Sequence, residues 1–312
     1  MKKILITGSN GLLGQKLVYK LRNHTAITCI ATARGTNRLV KTDGYLYEEL
    51  DITDLQNVNE VFLKHKPDVV INTAAMTNVD ACETEKETCW LLNVTAVENQ
   101  IKTLEKLKKE DSNYQPQFIH LSTDFIFDGT HGPLDENEIP NPQSYYAESK
   151  LAAEKIVQAS NLHWAIARTV LVYGIVDSMS RSNIVLWVKQ NLEQGKVINV
   201  VDDQFRTPTL AEDLADGCLL IAEKNAQGIY NISGKDFLSI LVLAHLVADY
   251  YKLDKSLIKP SKSADIKQPA KRPPITGFII EKAKKELGYN PKSFTEGIMF
   301  LEKQIAEMGN NI

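Results

Sequence analysis

From the N-terminus, short apolar runs alternate with longer stretches in which apolar positions recur every three or four residues. The runs "KILIT", "TAITCIATA", "PDVVINTAA", "PQFIHLST" and "HWAIARTVLVYG" have strand length, and "GLLGQKLVYKL" has helical spacing. Near-continuous apolar strands are buried on both faces, so the alternation predicts an α/β fold, a Rossmann-type doubly wound parallel sheet covered by helices. After about Gly174 the pattern loosens through "IVDSMSRSN", a helix at "IVLWVKQNLEQG" and "VINVVDDQFRTPT"; "GIYNIS" reads as a return to the sheet near Ile229. The expected organisation is a dinucleotide-binding domain over 1–173 plus about 210–240. A smaller, discontinuous C-terminal substrate lobe takes about 174–209 plus 241–312.

Composition changes this picture little. The chain has 312 residues, 43% hydrophobic and 24% charged, with a net charge of -3, which predicts no general attraction to nucleic acid or anionic membrane. No apolar run approaches the roughly 20 residues of a membrane-spanning helix, and the expected location is the cytoplasm. Cys29, Cys82, Cys89 and Cys218 form no CxxC or Cys/His cluster, so free thiols are expected and no metal site. The segment "LIKPSKSADIKQPAKRPP" carries Lys259, Lys262, Lys267, Lys271 and Arg272 against Asp265, and reads either as a solvated loop or as an anion-binding surface.

Chemistry enters at "ITGSNGLLG", where Gly8, Gly11 and Gly14 lie between a strand and a helix with GxxGxxG spacing. A turn without Cβ atoms lets backbone approach a pyrophosphate, and the helix start offers free N–H groups and a positive dipole end. Asn10 and Leu12 belong to the same turn. At the end of the second strand, "ATARGTNR" offers Arg34 and no acid, which suits the 2'-phosphate of NADP(H) better than the free ribose of NAD(H), the second choice. Asp51, followed by Ile52 in "LDITD", is placed to reach the adenine, although an Asp capping a helix looks the same.

In "SYYAESKLAAE", residues four apart on a helix lie about 40° apart around the axis, so Tyr146 shares a face with Lys150 and Tyr145 does not. A neighbouring ammonium favours a phenolate, which makes Tyr146 a candidate general acid and predicts a lowered pKa.

Together with the glycine turn, "NTAAMTNVDACE", "STDFIFDG", "YAESKLAAE", "RTVLVYG" and "DDQFRTPT" occur in one order that resembles the extended short-chain dehydrogenase/reductase family, most of all its dTDP-4-dehydrorhamnose reductase branch. The resemblance implies that Thr123 binds a substrate carbonyl oxygen, Tyr146 protonates it, and Lys150 holds the nicotinamide ribose. It also implies that Ala74, Ala75, Thr77 and Asn93 lie along the cofactor. Expected at the substrate are Asp124, Phe125, Gln204, Arg206 and Arg272, with the arginines suited to a diphosphate; pairing of Arg206 with Asp202 or Asp203 is the structural alternative.

Two departures stand out. Phe125 replaces a tyrosine and cannot donate a hydrogen bond, and "RPPITGF" lacks the serine of the branch's C-terminal pattern. The expected function is NADPH-dependent reduction of the 4-keto group of a nucleotide-diphosphate deoxysugar. Alternatives are an NAD(P)-dependent nucleotide-sugar epimerase or dehydratase, against which Phe125 in place of the "TDE" acid counts, and a noncatalytic regulatory subunit resembling the methionine adenosyltransferase beta subunit. The sequence leaves a homodimer and magnesium dependence open.

Overall fold

The computed structural model describes residues 1–177, 183–266 and 268–309. Six strands form most of one sheet: β1 (Lys2–Thr7), β2 (Ile27–Ala33), β3 (Leu46–Glu49), β4 (Val69–Asn72), β5 (Gln117–Thr123) and β6 (His163–Thr169). The spatial order is β3-β2-β1-β4-β5-β6, followed by the strand Gly228–Asn231, and each neighbouring pair is parallel. The expected return to the sheet near Ile229 is therefore present, as is the doubly wound α/β architecture. Sequence order reverses between β1 and β4, and in such sheets ligands bind outside the carboxyl ends of the strands at this reversal.

The alternation within β1 decides which helices cover which face. Ile4 and Ile6 join Leu17, Val18 and Leu21 of α1 (Leu12–Leu21) and Leu214 of the helix Ala211–Glu223 in one core. Leu5 faces the other way and meets Val58, Val61 and Phe62 of α2 (Leu55–His65), with Val97 and Leu104 of the helix Ala96–Glu110. Ile280, Ala283, Leu287 and Tyr289 also pack into the first core.

A third core gathers Val185 and Val188 from the helix Ile184–Glu193, Leu243 and Val247 from the helix Ile240–Tyr251, and Phe294, Ile298 and Leu301 near the C-terminus. It also covers a short parallel pair, Ile198–Val201 with Ile258–Ser261. The run "HWAIARTVLVYG" divides: β6 ends at Thr169, and Val172–Tyr173 pairs with Thr209–Leu210 instead. The residues 178–182 of the irregular "IVDSMSRSN" stretch, and Lys267, lie outside the described residues. No described helix is long and apolar enough to cross a membrane.

Candidate active site

At the sheet reversal a cleft of about 260 Å³ is lined by Gly8, Asn10 and Gly11 after β1, Ala33 and Arg34 after β2, Leu50, Asp51 and Ile52 after β3, Thr73, Ala74 and Ala75 after β4, and Leu92. Gly8 has φ +70°, and a Cβ there would stand 2.9 Å from the Ala74 backbone; one on Gly14 would stand 2.3 Å from the Gly8 carbonyl oxygen. Both glycines are thus required by the turn itself. Gly11 caps α1 without a side-chain hydrogen bond, leaving the helix start open toward the cleft. This is a cradle whose shape and exposed N–H groups fit a pyrophosphate.

The other cofactor candidates divide into those that face the cleft and those that hold its walls. Asn10 accepts from the Arg38 N–H (2.9 Å) and donates to the Thr36 carbonyl (3.0 Å), tying the glycine turn to the loop after β2. Arg34 is exposed on the rim, and among the described residues none hydrogen-bonds or ion-pairs with its guanidinium. Asp51 lines the cleft but uses its carboxylate on the Thr53 N–H and hydroxyl (2.9 and 2.6 Å); α2 is capped by Asp54. Asn93 sits in a π-helical turn, Leu91–Thr95, buried. It accepts from the Met76 N–H (2.7 Å) and donates to the Met76 carbonyl and Ser149 hydroxyl (3.1 and 3.0 Å), so it shapes the chain after β4 from behind. Thr77 is exposed just beyond Ala75, and Leu12 packs within reach of Gly174.

Thr123 ends β5, and Tyr146 and Lys150 stand on the helix Tyr145–Ala159, all three buried. This helix is fixed at its start and along its length. Ser144 accepts from the Ala147 N–H (3.3 Å) and Glu83 from the Tyr145 N–H (2.7 Å) at its start. Further along, Glu154 takes a two-pronged, fully buried bond from Arg168 of β6 (3.0 and 2.7 Å). Tyr145 turns away from Tyr146, its ring 6.1 Å from Trp90 and 5.0 Å from the Lys86 ammonium.

Burial pushes the Tyr146 phenol up, and hydrogen bonding with Thr123 offsets only part of this. The expected lowering by Lys150 is corrected here: Lys150 Nζ donates instead to the Leu121 carbonyl (2.6 Å) and faces His120 Nε2 (3.3 Å). Its own pKa is brought down to about 8, chiefly by burial, with Glu154 and Cys89 acting in the opposite direction.

The substrate candidates are bound up with one another. Asp124, fully buried, accepts from Thr123 (3.1 Å) and Thr276 and lies 3.7 Å from Arg206 Nε. Burial raises its carboxyl despite those partners, and burial lowers the Arg206 guanidinium. Arg206 donates to the carbonyls of Phe205 (2.7 Å), Pro274 (2.9 Å) and Pro273 (2.7 Å), its fourth terminal N–H faces Gln204 Oε1 at 3.5 Å, and Nε is left beside Asp124. The diphosphate role expected of Arg206 therefore finds its terminal fork already occupied. Asp202 and Asp203 are taken by Lys262 and Ser263, so Asp124 is the partner in place of either.

Arg272 grips Asp80 with both terminal nitrogens (3.1 and 2.7 Å), and Gln204 donates to Ser263 (2.9 Å). Phe125 lies between the Arg206 guanidinium (5.8 Å) and the edge of Tyr146 (6.1 Å). Within the basic run, Lys262 is partnered by Asp202 and Lys271 by Gln143 (3.0 Å).

Sequence reading passed over Asn72, Asp80, Glu83 and His120, all polar groups that hold the site together. His120 left a signal: a histidine inside a strand apolar on both faces, "FIHLST", requires a buried partner.

Residues 1–306 match the family described as RmlD substrate binding domain. The methionine adenosyltransferase 2 subunit beta of Xenopus tropicalis is 32% identical over 266 residues, 83% of this chain and 75% of that protein. The probable low-salt glycan biosynthesis reductase Agl14 of Haloferax volcanii is 29% identical across 97% of this chain and 98% of its own length. Among solved structures, a dTDP-4-dehydrorhamnose reductase from Clostridium acetobutylicum superposes with a TM-score of 0.83 at 28% identity, covering 97% of this chain and 99% of that one. Match and fold agree: the chain belongs to the RmlD substrate binding domain family, within the NAD(P)-dependent oxidoreductases of the extended short-chain dehydrogenase/reductase type.

Proposed function

We propose that this chain reduces the 4-keto group of a nucleotide-diphosphate deoxysugar with a reduced nicotinamide dinucleotide, NADPH in preference to NADH. The observation that carries the reading is that Tyr146 hydrogen-bonds with Thr123 at the end of β5 while Lys150, one turn along the same helix, bonds to Leu121 of that strand, two strands from a glycine turn shaped for pyrophosphate. The dinucleotide supplies the hydride. As negative charge develops on the carbonyl oxygen, the Thr123 hydroxyl turns its one hydrogen from Asp124 to that oxygen and Tyr146 gives up its proton. Burial of the phenol makes it a poor acid toward water and keeps it protonated until such an oxygen is formed beside it.

Two features support the finer choices. Arg34, at the rim and without a partner among the described residues, is available to a 2'-phosphate. Phe125 leaves the position after Asp124 without a second carboxylic acid of the kind an elimination would use. The division into a dinucleotide half and a smaller substrate lobe belongs to the same reading, with the lobe centred on the core of Val185, Leu243 and Phe294.

A second reading has its own support. The methionine adenosyltransferase beta subunits are similar in sequence, and Arg206 and Arg272 are both held by protein groups here. A chain that binds a dinucleotide and docks to an enzyme, reducing nothing, has no need of free arginines.

The two readings part in one assay. Purified chain, NADPH and dTDP-4-dehydro-6-deoxy-L-mannose give loss of reduced-nicotinamide absorbance if the first holds; NADPH binding with no turnover of any keto-sugar in a panel supports the second.

A further inference from the structure

Behind Lys150 runs a buried chain of side chains whose hydrogen-bond directions can be worked out one by one. Gln100 Nε2 donates to the Ala96 carbonyl (3.0 Å), which fixes its amide, and also to Asn72 Oδ1 (3.2 Å). Thr7 donates to the same Asn72 oxygen (2.6 Å). With Oδ1 accepting twice, Asn72 Nδ2 is the end that meets His120 Nδ1 (3.1 Å), so Nδ1 accepts. The ring is 1% exposed, and burial together with the Lys150 charge keeps it neutral. A neutral imidazole has one N–H, which here must be on Nε2, the atom that faces Lys150 Nζ at 3.3 Å.

An ammonium has three donors and no acceptor, so it cannot accept the Nε2–H; an amine can. We propose that His120 is a positioning residue for Lys150: locked as the Nε2–H tautomer by Asn72, it donates to the uncharged amine and so makes Lys150 a ready proton donor. This rests on the reductase reading only for its use. There, hydride adds to the carbonyl carbon, the Tyr146 proton goes to its oxygen, and the Lys150 ammonium, one turn along the helix, returns a proton to the Tyr146 oxyanion. The resulting amine keeps its bond to Leu121 and accepts from His120. The other titratable groups that act on Lys150 are Glu154 on its own helix and Cys89 on the helix Lys86–Trp90. Glu154 is already neutralised by Arg168, which leaves His120 as the neighbour that chooses between ammonium and amine.

The test is NMR of the full chain, with ¹⁵N-histidine and ¹³C-lysine labels and His120 assigned by loss of its signals in His120→Gln. Expected are an Nε2–H ring that does not titrate between pH 6 and 9, and a lysine that titrates more than one pH unit below the free value of about 10.4. In Asn72→Asp the carboxylate accepts from Nδ1–H instead, turning the Nε2 lone pair toward Lys150; the ring should change tautomer and the lysine pKa rise by at least one unit. An Nδ1–H ring in the natural chain overturns the inference. So does a rise in the lysine pKa with no change of tautomer, since the new charge alone then accounts for it. None of these readings needs a keto-sugar: a chain that reduces nothing can still support the inference, and an active reductase with the other tautomer refutes it alone.

Discussion

Arg206 gives the sharpest contrast between a structural and a ligand-binding arginine. Replacing it by Met removes three firm bonds to the carbonyls of Phe205, Pro273 and Pro274 and strands the buried carboxyl of Asp124. A buried acceptor left unpaired costs about 1–3 kcal/mol, and breaking a buried ion pair from one side about 3–5 kcal/mol in all. The middle of that range, about 4 kcal/mol, is the expected total. At about 2.1 cal/mol/K per residue, 312 residues give an unfolding entropy of roughly 0.65 kcal/mol/K, so Tm should fall by about 6 °C. Arg206→Lys keeps the charge but not the fork, and should recover less than half of this. Scanning calorimetry measures the fall, and titration with a nucleoside diphosphate measures the alternative. An unchanged Tm with a tenfold or greater loss of diphosphate affinity would refute the assignment of Arg206 to the fold.

Gly14→Ala forces a Cβ to 2.3 Å from the Gly8 carbonyl, so dinucleotide affinity by calorimetric titration should fall at least tenfold, with about 1–3 kcal/mol of stability lost to overpacking. Arg34→Ala should weaken NADPH more than NADH in the same titration; equal losses would remove the argument for the phosphate form. Lys150 makes a pH prediction whose sign follows from its depressed pKa, about 8 folded against 10.5 unfolded. Between those values the unfolded chain binds the extra proton, so Lys150 destabilises the fold fully below pH 8 and this penalty disappears as pH rises through 10.5. Urea unfolding of the natural chain relative to Lys150→Met should therefore improve by up to about 3 kcal/mol across that window, and a flat difference would contradict the buried, partly discharged lysine.

The sheet and the glycine turn were legible because their signals are local: apolar runs set strands, Gly8 is demanded by its positive φ, and Gly14 by a backbone contact with Gly8 within one turn. The choice of Tyr146 over Tyr145 was equally local, a matter of helix rotation. Partners across long loops were not. Nothing in "DDQFRTPT" tells that Arg206 will meet Asp124, 82 positions earlier, and the Pro273–Pro274 carbonyls. Nor does the Tyr-x-x-x-Lys spacing show that Lys150 will be drawn onto Leu121 and His120 of β5. Spacing places two side chains on one face; which third group each of them touches is decided by tertiary packing.

The most direct test of the account is single-turnover mixing of the chain with NADPH and dTDP-4-dehydro-6-deoxy-L-mannose, followed at the reduced-nicotinamide band, for the natural chain and Tyr146→Phe. Loss of absorbance in the first, reduced at least a hundredfold in the second with NADPH affinity unchanged, is the predicted result. Oxidation at the same rate in both would contradict the role of Tyr146, and no oxidation in either, with NADPH firmly bound, would contradict the reductase itself.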